Sequence, residues 1–310
     1  MPITPISSSD IIYRNEMRML YAHRILKEQS FAQGNTNRID LVSGNAGVNS
    51  SSAIQPMKVG GYFMTPEETA IILGESQPAP APAPPIFIPT PVSSYLPTNG
   101  TVSTWTDTAG LNATMIGSPT YTSLGYSFDG TTQYGRIASS TGINNFDNTD
   151  SYSVELWFNP SSGQPNPGFG ATVLEKWNST NQSRYPYVFR YNESSTSLIL
   201  AVFDGANNPG VSISAIPTNT WVQVVGVFNF TTDIMTGYKN GATTSTASLV
   251  GVGPVSNTSV LAIAHRTGIN GTTPEFMYKG SIGLIRFYNT ALSGAQVSQL
   301  FTNTRSTFGI

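Results

Sequence analysis

Cysteine is absent from all 310 residues, which excludes a disulfide framework, thiolate metal sites and cysteine nucleophiles. Charge is scarce as well: 10% of residues are Asp, Glu, Lys or Arg, against roughly 25% in a typical soluble domain. The 15 basic and 17 acidic side chains leave a net charge of -2, so no electrostatic attraction to nucleic acid is expected. Histidine is reduced to His23 and His265 in separate segments, and their spacing assigns no Ser-His-Asp arrangement. Long apolar runs are missing. The longest, such as Leu198 to Phe203, have the length of a strand and cannot span a bilayer. The opening Met1-Pro2-Ile3-Thr4-Pro5 is neither basic nor apolar, so no secretory signal is read and synthesis in a cytoplasm without export is expected.

In place of charge the chain carries Ser, Thr, Asn and 29 Gly, with 11% aromatic residues to fill a core. That balance predicts an all-β protein whose polar faces present hydroxyls and amides. Strand patterns follow from residue 100 onward: Ser153 to Phe158, Ser197 to Phe203 and Trp221 to Phe228 are β-rich and bounded by Asn, Gly, Pro or Asp. Lys239-Asn240-Gly241-Ala242 predicts a two-residue hairpin, because Asn-Gly tolerates positive φ at both turn positions. Asp129-Gly130 and Asp204-Gly205 are further turns. Ser293-Gly294-Ala295-Gln296 predicts a capping box opening one short helix through Val297 and Leu300.

The first 75 residues differ, since they hold six of the 15 Lys/Arg and seven of the 17 Asp/Glu. A helix is predicted through Ile11, Met17, Leu20, Tyr21 and Ile25, and a second after the cap Thr65-Pro66-Glu67-Glu68, through Ile71 and Ile72. Neither is long enough to be stable alone, so this arm, residues 1–76, needs a partner to pack on. The docking residues expected are Ile11, Arg14, Met17, Arg18, Leu20, Arg24, Ile71 and Ile72. Between arm and strands, residues 77–91 alternate Pro with Ala over Pro78 to Pro84 and form a semi-rigid spacer. Residues 92–310 then make the β domain.

Five segments in order (Trp105 to Gly110, Tyr126 to Gly130, Ser151 to Phe158, Tyr238 to Gly241 and Tyr278 to Ser293) resemble concanavalin A-like, laminin-G-like jelly rolls. The resemblance implies a jelly-roll sandwich over roughly residues 90–305, and it implies no single function, because the fold hosts lectins, adhesins, structural modules and glycosidases. A cysteine-free module of low charge behind a short arm is similar to structural proteins of large DNA viruses and phages. The expectation is therefore a non-enzymatic virion component, docked by its arm to capsid or tail proteins within a large assembly, with a carbohydrate-binding adhesin for host-surface glycans as the alternative.

A glycosidase would need two closely placed carboxylates. Glu155 is the only acid of its strand and Glu175 stands alone before Lys176-Trp177, so glycoside hydrolase is only the third reading, behind the virion component and the adhesin. Glycan stacking requires aromatics beside amides or acids, which makes Trp177, Tyr185, Tyr187, Asp204 and Asn207 the candidates. The competing reading places these aromatics between sheets, as it does Trp157 and Trp221, since Tyr187 alternates with Phe189 and Tyr191 as a strand would. No cofactor is expected beyond a structural calcium, for which loop residues Asp107, Asp129 and Asp204 are candidates that equally suit ordinary turns.

Overall fold

A computed structural model describes residues 58–59, 62–63, 84–166, 168, 170–177, 184–268 and 273–310. The chain divides into two units, Met1–Pro84 and Pro85–Ile310. In the first, the described residues form a hairpin of β1 (Lys58–Val59) and β2 (Tyr62–Phe63). All eight expected docking residues and both arm helices lie outside the described residues.

Among the described residues, the regular structure of the second unit is almost all strand. Its first half runs through β3 (Ser93–Gly100), β4 (Thr104–Asp107), β5 (Ala113–Ile116), β6 (Thr120–Thr122), β7 (Gly125–Asp129), β8 (Tyr134–Ile137), β9 (Tyr152–Pro160) and β10 (Ala171–Glu175). The second half adds β11 (Tyr185–Asn192), β12 (Ser197–Phe203), β13 (Gly210–Ile213), β14 (Val222–Asn229), β15 (Ile234–Lys239), β16 (Ala242–Ser248), β17 (Leu261–Ile263), β18 (Arg266–Thr267), β19 (Pro274–Glu275) and β20 (Lys279–Tyr288). Fourteen of these join antiparallel in one path, β13-β12-β11-β10-β17-β8-β5-β4-β3-β20-β9-β14-β15-β16, and β7 on β20 with β6 on β7 completes a sheet of sixteen. The path closes on itself in two facing layers. Leu200 of β12 meets Gly226 of β14, the Tyr152 hydroxyl of β9 donates to Pro186 O of β11 at 2.6 Å, and Tyr187 and Phe287 rings lie 5.9 Å apart. This is the sandwich that the turn spacing predicts.

Aromatic side chains dominate the space between the layers: Tyr95, Trp105, Tyr126, Phe146, Tyr152, Phe158, Tyr187, Phe189, Tyr191 and Tyr278 are all buried there. Each phenol needs a partner when dehydrated. Backbone carbonyls supply it, Leu111 O for Tyr95, Thr101 O for Tyr126 and Asn144 O for Tyr187. The outer face of the β9–β14–β15 layer is covered by α1 (Gly294–Thr304). Its capping box forms as the sequence predicts: Ser293 Oγ accepts from Gln296 N, and Gln296 Oε1 accepts from Ser293 N at 2.7 Å. The Asn240-Gly241 turn also forms, with φ of 49° and 79°, and its lack of a Cβ lets Gly241 approach Phe301 and Ser298 of that helix. Trp157 is buried, but beneath α1 beside Phe301 and Phe308 rather than between the sheets. Trp221, expected in the core, is only half-buried and packs on Phe308 at 4.8 Å.

Candidate functional site

The other layer carries its polar chemistry on the face turned away from the core. Along β10 a bulge falls between Thr172 and Leu174. Strict alternation would put Glu175 on the same face as Val173, inside the core. The bulge sends both Val173 and Leu174 inward and turns Glu175 out. There it is fully buried under neighbouring side chains and accepts from Thr172 Oγ1 at 3.0 Å, from Nε and Nη2 of Arg190 on β11, and from Nε and Nη2 of Arg266 on β18. The Arg266 guanidinium lies 4.5 Å from the Trp177 ring and 4.8 Å from the Phe276 ring, and Arg190 approaches the same Phe276 at 6.0 Å. Its plane is thereby fixed on two ring faces and on one edge.

The hairpin that delivers Arg266 and Phe276 is pinned at its base. Ala264 N donates to Val173 O at 3.0 Å, Tyr278 N to Ala264 O at 2.9 Å, and Thr172 N to Phe276 O at 2.8 Å. Ala264 and Phe276 both adopt left-handed backbone, with φ of 62° and 48°. Such a conformation costs about 1–3 kcal/mol for a residue with a side chain. Next to Arg266, the buried His265 imidazole packs at a tilt of 45° against Tyr134, with ring centres 4.4 Å apart, and its Nδ1 lies 3.2 Å from Ile263 O. Burial holds this imidazole down to about 4, with Arg136 adding to the effect and Glu175 opposing it. His265 Nε2 and Thr267 Oγ1 are buried with no hydrogen-bond partner among the described residues.

Several candidates read from the sequence are placed elsewhere. Tyr187 is a core residue with no exposure, which removes it from any ligand surface. Trp177 and Tyr185 sit on the outer face in a small cluster with Val188, Ala201 and Phe203, 7% exposed each, so their ring faces are already covered. Asp204 and Asn207 spend their polar atoms on their own loop and on the loop after β16: Asp204 accepts from Ala206 N, Asn207 N, Asn207 Nδ2 and Gly253 N, and Asn207 Nδ2 also donates to Gly251 O. Asp129 likewise accepts from Thr131 N, Thr132 N, Thr132 Oγ1 and Gln133 N. These bonds hold both carboxyls below the usual carboxylate range, against a smaller opposing push from burial in sum. Asp107 joins β3 to the turn after β4 through Ser93 Oγ, Ser94 N and Leu111 N. All three calcium candidates thus act as turn and strand connectors, and no three acidic, His or Cys side chains cluster among the described residues.

Glu155 and Glu175 are kept apart. Glu155, on β9, is buried on the outer face of the opposite layer, where it accepts from Gln223 Nε2 at 2.8 Å, Arg286 Nη1 at 3.3 Å and the Tyr288 hydroxyl at 3.3 Å. Each carboxylate is committed to its own arginines, and they do not face each other across a cleft. Arg136, Arg190, Arg266 and Phe276 were not singled out by sequence patterns, because they lie up to 140 residues apart and only strand pairing joins them. The signal available was scarcity: residues 76–310 hold nine Lys/Arg, so a charged residue inside a strand pattern has to be partnered.

The fold matches solved structures of low sequence identity. The botulinum neurotoxin serotype G binding domain aligns with a TM-score of 0.56 and 15% identity over 70% of this chain and 52% of that one. The receptor binding domain of botulinum neurotoxin D aligns at 0.52 with 14% identity over 69% and 52%. The chain thus spans about half the length of these matched structures. No curated protein sequence matches. The family model of the concanavalin A-like lectin/glucanases superfamily matches residues 129–298, from the Asp129 turn through the outer-face cluster to α1. The chain belongs to that superfamily.

Proposed function

We propose that the β domain is a non-catalytic recognition module of lectin type, binding glycan through the outer face of the β10–β11 layer. The observation that carries this reading is the Arg266–Phe276 assembly: a guanidinium fixed between two rings, and a half-buried aromatic held in strained backbone. Family membership supports a binding fold, and the titles of the matched structures describe binding and receptor-binding domains. The separation of Glu155 from Glu175, each bound by arginine on a different layer, supports the non-catalytic assignment. Attachment of the module to a particle through residues 1–76, with residues 77–91 as the spacer, is the companion proposal and rests on the change of composition alone.

The test is an array of immobilised glycans probed with the full chain and with Phe276→Ala. Binding by the parent that the variant loses supports the reading. Absence of binding to every glycan, or equal binding by the variant, overturns it.

A further inference from the structure

We infer that β16 pairs with β16 of a second copy of this chain, antiparallel about a two-fold axis at Ala247, so that two β9–β14–β15–β16 layers join into one sheet. This edge belongs to the layer opposite the Arg266 hairpin, and the pairing stands without the recognition reading. β16 overhangs the sandwich. Leu200 of β12 lies against Gly226 of β14, and Val211 and Ile213 of β13 lie against Gly237 of β15, where the facing layer ends. β16 lies one strand further out and is bonded to β15 on one side alone, so Ala242, Thr243, Thr244, Thr246 and Ser248 are exposed. The register shows which backbone groups are free. Met235, Thr236 and Gly237 stand opposite Ala247, Thr246 and Ser245, and Leu249 N donates to Asp233 O at 2.8 Å. Hydrogen-bonded and non-hydrogen-bonded pairs alternate along an antiparallel ladder. Ser245 and Ala247 therefore spend their N–H and C=O groups on β15, while Thr246 and Ser248 turn theirs away. Among the described residues nothing takes these groups.

Sheet edges are normally blunted by charge, proline or a bulge. β13, at the other end of the strand path, is treated in that way. Pro209 precedes it, Ser245 Oγ donates to Ser212 O at 3.2 Å, and Lys239 Nζ covers Ser214 O and Ala215 O just beyond it. β16 has no charged residue and no proline, and its bulge at Thr244 leaves Ser245 to Ser248 regular. The edge also suits its own copy. Centring the pair on Ala247 places Thr246 opposite Ser248 of the second copy, and Ser248 opposite its Thr246. All the free N–H and C=O groups of these residues are then used, and small hydroxyl side chains meet with no charge facing its like. The same register carries Val250, 71% exposed just after the strand, toward Thr244 of the second copy, with Ile234, 44% exposed, beside Ser248 on the same flank. Because β13 is blocked, the contact is isologous and closes as a dimer instead of growing into a fibre.

Sedimentation of the full chain over a concentration series tests the pairing. A reversible monomer–dimer equilibrium is expected, since so narrow a contact belongs to the weak class of interfaces. Thr246→Pro removes a donor that points away from β15, so the monomer keeps its ladder. Dimerisation should weaken about tenfold or more, because each copy loses one bond, and the melting temperature of dilute protein should not move. Single cysteines read the register in this cysteine-free chain. Ala247→Cys faces its own equivalent in a non-hydrogen-bonded pair, with Cα atoms about 4.5 Å apart, and should crosslink two copies under mild oxidation. Thr246→Cys stands two positions out of step with its equivalent, beyond the roughly 7 Å that a disulfide spans, and should not. Ala247→Cys carries the test if Thr246→Pro does not fold. A monomer at every concentration overturns the inference, as does a dimer that Thr246→Pro leaves intact, or crosslinking that does not favour Ala247→Cys.

Discussion

Neutralising Glu175 is the most direct probe of the outer-face cluster. Glu175→Gln keeps the size of the side chain and the bond from Thr172 Oγ1, and removes the charge that Arg190 and Arg266 share. Breaking a buried ion pair from one side costs about 3–5 kcal/mol, because the partner stays behind uncompensated. The guanidiniums reach solvent at 21% and 14%, so screening brings the expected loss to the lower end, about 3 kcal/mol. At about 2–4 °C per kcal/mol for a domain of this size, the melting temperature should fall by about 6–12 °C. Calorimetry of the parent, Glu175→Gln, Arg190→Gln and the double variant measures it. The double variant should be less destabilised than the sum, since the same interaction is removed twice. A shift below about 2 °C for Glu175→Gln, with additive behaviour in the double variant, would show that the triad is solvated and refute the description of a preorganised guanidinium.

The remaining expectations concern pH, a turn and a cap. His265 is held down to about 4 in the fold, below its unfolded value near 6.5, so the unfolded chain takes up the proton first and stability should fall as pH drops from 6.5 toward 4, by about 3 kcal/mol in all. Urea midpoints at pH 7.0 and 4.8 read this, and His265→Phe should flatten the difference; an unchanged slope would show that another group is responsible. Gly241→Ala places a Cβ 3.0 Å from that of Phe301 in backbone of φ 79° and should cost about 1–3 kcal/mol by chemical denaturation, with parent-like stability counting against the close hairpin–helix approach. Ser293→Ala removes the cap of α1 and should cost about 1 kcal/mol, read as a smaller melting temperature; no change would mean the helix end is frayed in solution.

The fold was legible in the sequence wherever one residue type answers one local demand. Asn240-Gly241 had to turn with positive φ, and Ser293 with Gln296 had to cap a helix, because few other residues satisfy those backbones. The alternation of Tyr187, Phe189 and Tyr191 likewise announced an inward face. The site was not legible in the same way. A bulge that inverts the parity of β10 leaves no local mark in Ala171-Thr172-Val173-Leu174-Glu175, and it alone decides that the acid faces out. The aromatics best suited to a sugar by composition, Trp177, Tyr185 and Tyr187, are covered by packing, whereas Phe276 acquires its role from a hairpin whose ends are held by residues a hundred positions away. Pairing among distant strands is a property of the closed sheet, and no window of the chain contains it.

The entry of the chain into the β domain has a mechanical consequence. Val92 N donates to Phe287 O at 2.8 Å, β3 then runs antiparallel to β20, and the residues just before it pass over α1, where Gln296 Nε2 donates to Phe87 O at 2.9 Å and Ile88 packs beside the helix. Tension arriving through residue 90 would therefore enter at the β3–β20 ladder and the helix, on the layer opposite the Arg266 hairpin. A load directed along β3 would be shared among the hydrogen bonds of that ladder, which would be sheared along the strand axis instead of being unzipped one at a time. A module fastened there could be pulled by its stem while its grip stayed undistorted.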